Sequence, residues 1–369
     1  MDNRKIPSLQ LLILLFIIEK ATAFLFAPAA VARAAGQDAW LSELLFCMPA
    51  GLLVAAVCVF LARHFPEEPL PFYLPRLVGK LPGKLLAAAY AVVFTHLTAV
   101  IISETAQFIH TAFFNLTPLL FLEIIAAGAA LYGTCLGIEV IARQAELVFV
   151  LFLFSMLLLI ALVIPDFKIS NFLPVAENGI LPIIKGAPVC CAWRGEIFLI
   201  LMLYPYLENR QEDMKLAISA VVFSTFVSIV FIVITLGVFG GPFTAQQTFP
   251  ILELARYIQL AVIIERLEIL IVIIWVAGAI VKLAVFYHAA CISAASVIGH
   301  QKSSRFFIIP AGIATAIIAE VLYPSHFKLT SFLNQAWPPY ALVTELLLPL
   351  GLLIIACWQK RRRAKNDSG

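Results

Sequence analysis

The chain predicts an all-α integral membrane protein of about ten transmembrane helices, built as a five-plus-five inverted-repeat transporter fold with helices 1 and 6 broken. Three observations carry that prediction. First, the 369 residues are 62% hydrophobic and only 13% charged, with a mean hydropathy of +1.00, outside the balance of a domain whose surface must face water. Second, apolar runs of the ~20 residues needed to cross a hydrocarbon core recur from Leu9 to the basic tail. Third, two of these runs, five helices apart, are interrupted by charges and prolines. The first carries Glu19, Lys20, Thr22 and Pro28, and the sixth carries Pro188, Trp193-Arg194-Gly195-Glu196 and Pro205.

Runs bounded by Pro, Gly and charge place the helices near 8–33, 40–62, 84–114, 118–135, 139–164, 183–206, 215–240, 262–298, 305–323 and 339–358. No stretch is left for a separate soluble domain, so residues 1–369 form a single membrane domain. Repeat 1 spans about 8–164, repeat 2 about 183–358, and a basic tail 359–369. The run after Arg4 and Lys5 is interrupted by Glu19-Lys20 and is too long and polar for a signal-peptide core, so it reads as a retained helix. Two kinked helices without any site remain the plain alternative to a broken-helix pocket.

Loop charges set the orientation. With a cytoplasmic N-terminus, Arg63, Arg76, Lys80, Lys84, Arg143, Arg210, Lys215, Lys302, Arg305 and the terminal cluster Lys360 to Lys365 fall inside. Arg33, Lys168, Lys185, Arg256 and Lys328 fall outside. That bias predicts both termini in the cytoplasm. The loops Pro165 to Pro182 and Gly241 to Gln259 are expected to lie along the outer face and to hold short amphipathic helices. A net charge of +3 scattered in this way gives no ground for a nucleic-acid partner. The seven cysteines lack metal-ligand or CxxC spacing and read as buried free thiols, and no cofactor is implied.

A charge at the bilayer centre costs ~2.5–3.5 kcal/mol on insertion scales, so each ionisable residue inside a helix faces a bundle interior or a wet cavity. Glu196 follows Gly195, where a helix break frees backbone groups to meet a ligand's charged ends. A carboxylate there suits an ammonium, on an amino acid or on a neighbouring lysine; a structural Arg194–Glu196 pair is the alternative. Glu104 and Gln107 lie one turn apart on helix 3, with Thr111 continuing the stripe. His96 on the same helix reads as structural. On helix 8, Glu268, Trp275 and Lys282 fall within about 40° of one line at 100° per residue. Glu268 and Lys282 are about 21 Å apart at 1.5 Å per residue, so Lys282 needs a partner on another helix. Glu265 and Arg266 suit the outer interface. The candidate ligand-binding residues are therefore Thr22, Phe24, Glu104, Gln107, Trp193, Gly195 and Glu196. The candidate structural or coupling residues are Lys282, Glu268, Trp275, Glu265 and Arg266.

The segment IERLEILIVIIWVAGAIVKLAVFYHAA, Ile264 to Ala290, resembles the helix 8 signature of the spore germination permease family, the B subunits of nutrient germinant receptors. Glu265, Arg266, Glu268, Trp275, Lys282 and Tyr287 carry the likeness, supported by IPSLQ at Ile6 to Gln10 and GEIFLIL at Gly195 to Leu201. AFLFAP at Ala23 to Pro28 departs from it, lacking the glycines with which related transporters unwind helix 1. The resemblance implies membership of the amino acid/polyamine/organocation transporter superfamily. It further implies an A-type membrane subunit and a C-type lipoprotein as partners in the inner spore membrane, and a Lys282 that stands where sodium-coupled relatives bind the ion, bracing helix 1. The expected function is nutrient sensing, with an amino acid as the favoured ligand and a sugar or nucleoside as the alternatives. The alternative is a secondary amino acid permease, with proton coupling through Glu104, Glu196 or Lys282. No zinc motif and no Ser/His or paired-Asp spacing points to an enzyme.

Overall fold

The computed structural model describes residues 5–258, 267–299 and 301–367, and nearly all of them are helical. Among the described residues nine helical stretches are long and apolar enough to cross a membrane. The first of these, Ala23–Ala62, has 40 residues and contains a left-handed turn at Gly36, φ 56°, a conformation that costs a side-chain-bearing residue dearly. It therefore holds the second half of the first crossing and all of the second. The other half of the first crossing is α1, Ser8–Lys20, so the described residues make ten crossings.

Beyond α1, the first crossing continues as α2, Ala23–Ala35, and α3, Met48–Ala62, completes the second. A short α4, Leu70–Val78, precedes the long α5, Lys80–Ala112. A single left-handed residue, Gly137 at φ 90°, separates α6, Leu119–Leu136, from α7, Ile138–Val163. The second half brings α8, Ile180–Gly195, and α9, Asp213–Phe239. Two short helices follow in the predicted loop, α10, Gly241–Gln246, and the amphipathic α11, Pro250–Tyr257. The last crossings are α12, Leu267–Ile298, α13, Ile308–Leu322, and an irregular tenth that ends in α16, Leu348–Asp367, after α14, His326–Ser331, and α15, Trp337–Ala341.

Burial ranks the crossings. The sixth, Ile180–Tyr206, is 89% buried in its apolar window and Ile271–Ile298 is 72% buried, whereas Ser304–Leu322 is 11% buried. The sixth and eighth crossings are thus the core, and the ninth faces lipid. α12 packs along α5 and also meets α6, α7 and α1, while α2 packs against α8. The first and sixth crossings run antiparallel: α2 lies beside α8, and α1 reaches the segment that follows α8.

Neither interruption is an unwound stretch. The first crossing breaks over Ala21 and Thr22 alone, and the sixth tightens to a 3-10 turn at Glu196–Leu199. Gly195 has φ −66°, inside ordinary helical space. The missing glycines of Ala23 to Pro28 account for the first case, since side-chain-bearing residues resist the left-handed conformations that unwinding needs.

The N-terminus is pinned to the end of the sixth crossing. Ile6 donates its N–H to the Tyr206 carbonyl at 2.7 Å and accepts from the Glu208 N–H at 3.0 Å, and Lys5 donates to the Pro205 carbonyl at 2.9 Å. At the same end of the bundle Arg63 grips Asp213 with two nitrogens, at 2.9 and 2.6 Å. Arg210 donates to Glu67, which holds that loop carboxyl below the usual carboxylate range. The expectation of buried thiols needs correcting at two positions. Cys135 and Cys357 are exposed on the outside of the bundle, where lipid tolerates a thiol as readily as the core does.

Gly83 permits the closest contact between α4 and α5, since a Cβ there would strike the Pro75 and Leu74 backbone. Gly83→Ala is expected to lower thermal stability by about 1–3 kcal/mol through overpacking. Gly128→Ala, where a Cβ meets only open space, should leave the melting temperature unchanged or raise it. Parallel melts of the two purified variants check the contrast.

Candidate functional site

Two buried charge clusters occupy the centre of the bundle, one on each side of the tightened sixth crossing. Arg194 and Glu196 are two residues apart, so they leave the helix in different directions. Arg194 donates to Glu19 of α1 at 2.6 Å, and to Glu43, at the wide turn before α3, at 3.0 Å. The same guanidinium donates to the Ser228 hydroxyl on α9 at 3.2 Å, and Lys20 donates to that hydroxyl from α1. Arg194, Glu19, Glu43 and Lys20 are each at most 2% exposed. The alternative of an Arg194–Glu196 pair is therefore replaced by a cluster joining α1, the second crossing, α8 and α9.

On the other side, Lys282 of α12 donates to both oxygens of Glu196 at 2.7 Å and to the Thr22 hydroxyl at 3.0 Å. Its ammonium also lies 5.7 Å from the centre of the Phe286 ring. Lys282 thus finds its partner on another helix and touches both interruptions at once. Glu104 of α5 is buried close to Lys282 and Thr22, and Glu345, from the tenth crossing, presses on Gly195, where a Cβ would collide with its carboxylate.

The bases Lys20, Arg194 and Lys282 are surrounded by the carboxyls of Glu19, Glu43, Glu104, Glu196 and Glu345, all buried. Among the described residues, one oxygen each of Glu19, Glu104 and Glu345 has no hydrogen-bond partner. Carboxyls outnumber bases, which leaves the centre short of positive charge or donor protons. Among the described residues no group of three His, Cys, Asp or Glu side chains converges to hold a metal.

The remaining candidates divide. Gln107 is buried and donates to the Tyr323 carbonyl at 2.8 Å, whereas Thr111 is exposed and leaves the stripe. His96 meets the Tyr323 hydroxyl at 2.8 Å and packs edge-on against Phe332 and Tyr340. Phe24 points away from the charges, against Phe152 and Phe231 at 5.8 and 5.3 Å, beside a cavity of ≈ 10 Å³ that also touches Trp275. Trp275 packs on Phe108 at 4.2 Å, and Trp193 stacks on Phe26 at 6.4 Å. Glu268 is half-buried at the start of α12, on a different level from Lys282. Glu265 and Arg266 lie outside the described residues.

Glu19, Lys20, Glu43, Ser228 and Glu345 belong to the centre although the sequence did not single them out as site residues. The Glu19-Lys20 doublet in an apolar run was the available signal, and Glu43 and Glu345 carry the same signal of acids between apolar neighbours. Ser228 carries none.

Removing one partner of a fully buried pair leaves an uncompensated charge, at about 3–5 kcal/mol. Lys282→Met and Glu196→Met are each expected to destabilise by that order, and the double variant by much less than their sum. A thermal-unfolding cycle on the four proteins measures the coupling; additive losses would show that the pair is not energetically coupled.

Residues 5–327 match the family model described as spore germination protein. The chain is similar to spore germination protein KB of Bacillus subtilis (strain 168), 24% identical over 99% of this chain and 98% of that protein. It is also similar to spore germination protein YndE of the same organism, 25% identical over 97% and 98%, and to spore germination protein XB of Bacillus anthracis, 25% identical over 89% and 91%. Among solved structures it resembles MhsT in complex with L-phenylalanine, with a TM-score of 0.66 at 14% identity over 93% of this chain and 87% of that one. It likewise resembles Mhp1, a nucleobase-cation-symport-1 family transporter, with a TM-score of 0.63 at 14% identity over 92% and 76%. These likenesses establish the inverted-repeat transporter fold. With the family match covering residues 5–327, the chain is a multi-pass membrane protein that belongs to the spore germination protein (spore permease) family.

Proposed function

We propose that this chain is the nutrient-sensing subunit of a spore germinant receptor, binding an amino acid at the Glu196–Lys282 centre. The occupied state is passed to an A-type membrane subunit and a C-type lipoprotein in the inner spore membrane, with both termini of this chain cytoplasmic. The observation that carries the proposal is the excess of buried carboxyls around the two helix interruptions, with Glu104 and Glu345 each holding an unpartnered oxygen. An ammonium group supplies the positive charge and donor protons that these acids lack. A sugar or nucleoside offers hydroxyls but no cation. That a protein of the same fold was crystallised with L-phenylalanine supports an amino acid as the class. Ligand that binds one arrangement of the helices better than another shifts the population, which is sufficient for a signal.

A secondary permease is the second reading. It is favoured by the same unpartnered carboxyls, since Glu104 or Glu345 could exchange a proton with a bound substrate.

The two readings separate in proteoliposomes containing this chain alone, supplied with pooled labelled amino acids. A receptor subunit is expected to be stabilised against heating by the ligand, to accumulate none of it, and to lose the stabilisation in Glu104→Gln. Accumulation by the wild type that Glu104→Gln abolishes would instead make it a permease.

A further inference from the structure

One helical turn beyond each interruption, on the side away from Lys5 and Ile6, aromatic side chains close into a layer. Phe26 is four residues past Thr22, and Trp193 is three residues before Glu196. The two rings stack at 6.4 Å and 28°. Phe26 also meets Phe249 edge-on at 5.3 Å and stacks on His326 at 6.4 Å and 18°. Phe249 in turn packs on Phe108 at 4.9 Å. This layer separates the charged centre from a small cavity bounded by Phe26, Trp193, Thr248, His326, Asn334 and Arg33.

Two basic side chains, Arg33 and His326, face that cavity. Arg33, in the last turn of α2, is exposed at the mouth and donates its Nε to the Ala245 carbonyl at 3.0 Å. Among the described residues it has no carboxylate partner. The half-buried His326 lines the same cavity, and its Nδ1 is buried without a hydrogen-bond partner among the described residues. Asn334 donates to the Thr330 carbonyl at 2.7 Å, which orients its amide. A guanidinium whose terminal nitrogens lack a counter-ion, beside an unpartnered imidazole nitrogen and a floor of stacked rings, has the chemistry to take a small carboxylate that carries an apolar group.

We propose that this cavity is a second binding site for an apolar carboxylate, with the carboxylate on Arg33 and His326 and the apolar group against Phe26 and Trp193. At ≈ 20 Å³ the closed cavity has space for about one water, so occupancy parts the Phe26–His326 stack. The site lies outside the aromatic layer and does not depend on the identity of any ligand at Glu196.

The two sites ask for opposite charges, and that makes the proposal testable with two probes. 3-Phenylpropionate has a carboxylate and no ammonium, and phenethylamine has the reverse. With the full chain in phosphatidylcholine nanodiscs, 3-phenylpropionate is expected to bind the wild type and Glu104→Gln equally. It should bind Arg33→Gln about tenfold more weakly or worse, as loss of a charge-assisted hydrogen bond requires. Asn334→Asp, which places an internal anion in the cavity, should weaken it as well without touching Arg33. Phenethylamine should be indifferent to Arg33→Gln. The proposal is overturned if 3-phenylpropionate does not bind the wild type, or if it binds Arg33→Gln and Asn334→Asp as tightly as the wild type. A loss confined to Glu104→Gln would also overturn it, by placing the carboxylate at the inner centre.

Discussion

The ammonium of Lys282 is fully buried in the middle of α12, too deep to reach water along its own stem, and a lone cation there would cost several kcal/mol. Its position has to be answered from neighbouring helices. Glu196 answers with both oxygens and Thr22 with its hydroxyl, and those residues stand at the interruptions of the sixth and first crossings. One cation therefore fixes three helices, two of which belong to opposite repeats. Apolar packing also brings α12 against the first break at Gly278 and Ala21, and Lys282 adds hydrogen bonds to both breaks from a single atom.

The Arg194 cluster complements it. The sixth crossing sends Glu196 toward α12 and Arg194 toward α1, α9 and the wide turn before α3. Movement of the first and sixth crossings against α9 strains one set of contacts, and movement against α12 strains the other. Packed ion pairs have discrete arrangements rather than a continuum of weakened ones, so the bundle favours a small number of states. The aromatic layer one turn further out behaves alike, since stacked rings either cover the centre or stand apart.

Much of this was legible in the sequence, and the residues that were not share a cause. Lys282 demanded a partner because it lies mid-run on an apolar helix, and Glu196 demanded attention because it follows Gly195 between two prolines. Helix period places a side chain on a face, yet it does not say which neighbouring helix lies opposite or at what height. That is why the Arg194–Glu196 alternative could be set aside only by seeing Glu19 and Glu43. It is also why Phe24, two residues from Thr22, could be assigned to the ligand although its ring faces Phe152 and Phe231. Ser228 was invisible because a serine in a membrane helix is inexpensive and unremarkable on its own. The first break was anticipated from charge and not from glycine, and its small size follows from the same lack of glycine.

A receptor built on this fold asks less of it than transport does. A transporter must expose its centre to both sides in turn, whereas a sensor needs only two states that differ in affinity for the ligand. In the proposed receptor, an ammonium entering the centre would relieve the excess of carboxyls and so favour whichever arrangement draws Glu104 and Glu345 inward. Moving an equilibrium from 1:99 to 99:1 takes a differential affinity of ~5.5 kcal/mol, within reach of two or three charge-assisted hydrogen bonds at ~1.5–3 kcal/mol each. The unpartnered oxygens of Glu104 and Glu345 can supply contacts of that kind. The residues that leave the closed centre electrostatically incomplete are thus the ones able to make its conformation depend on ligand.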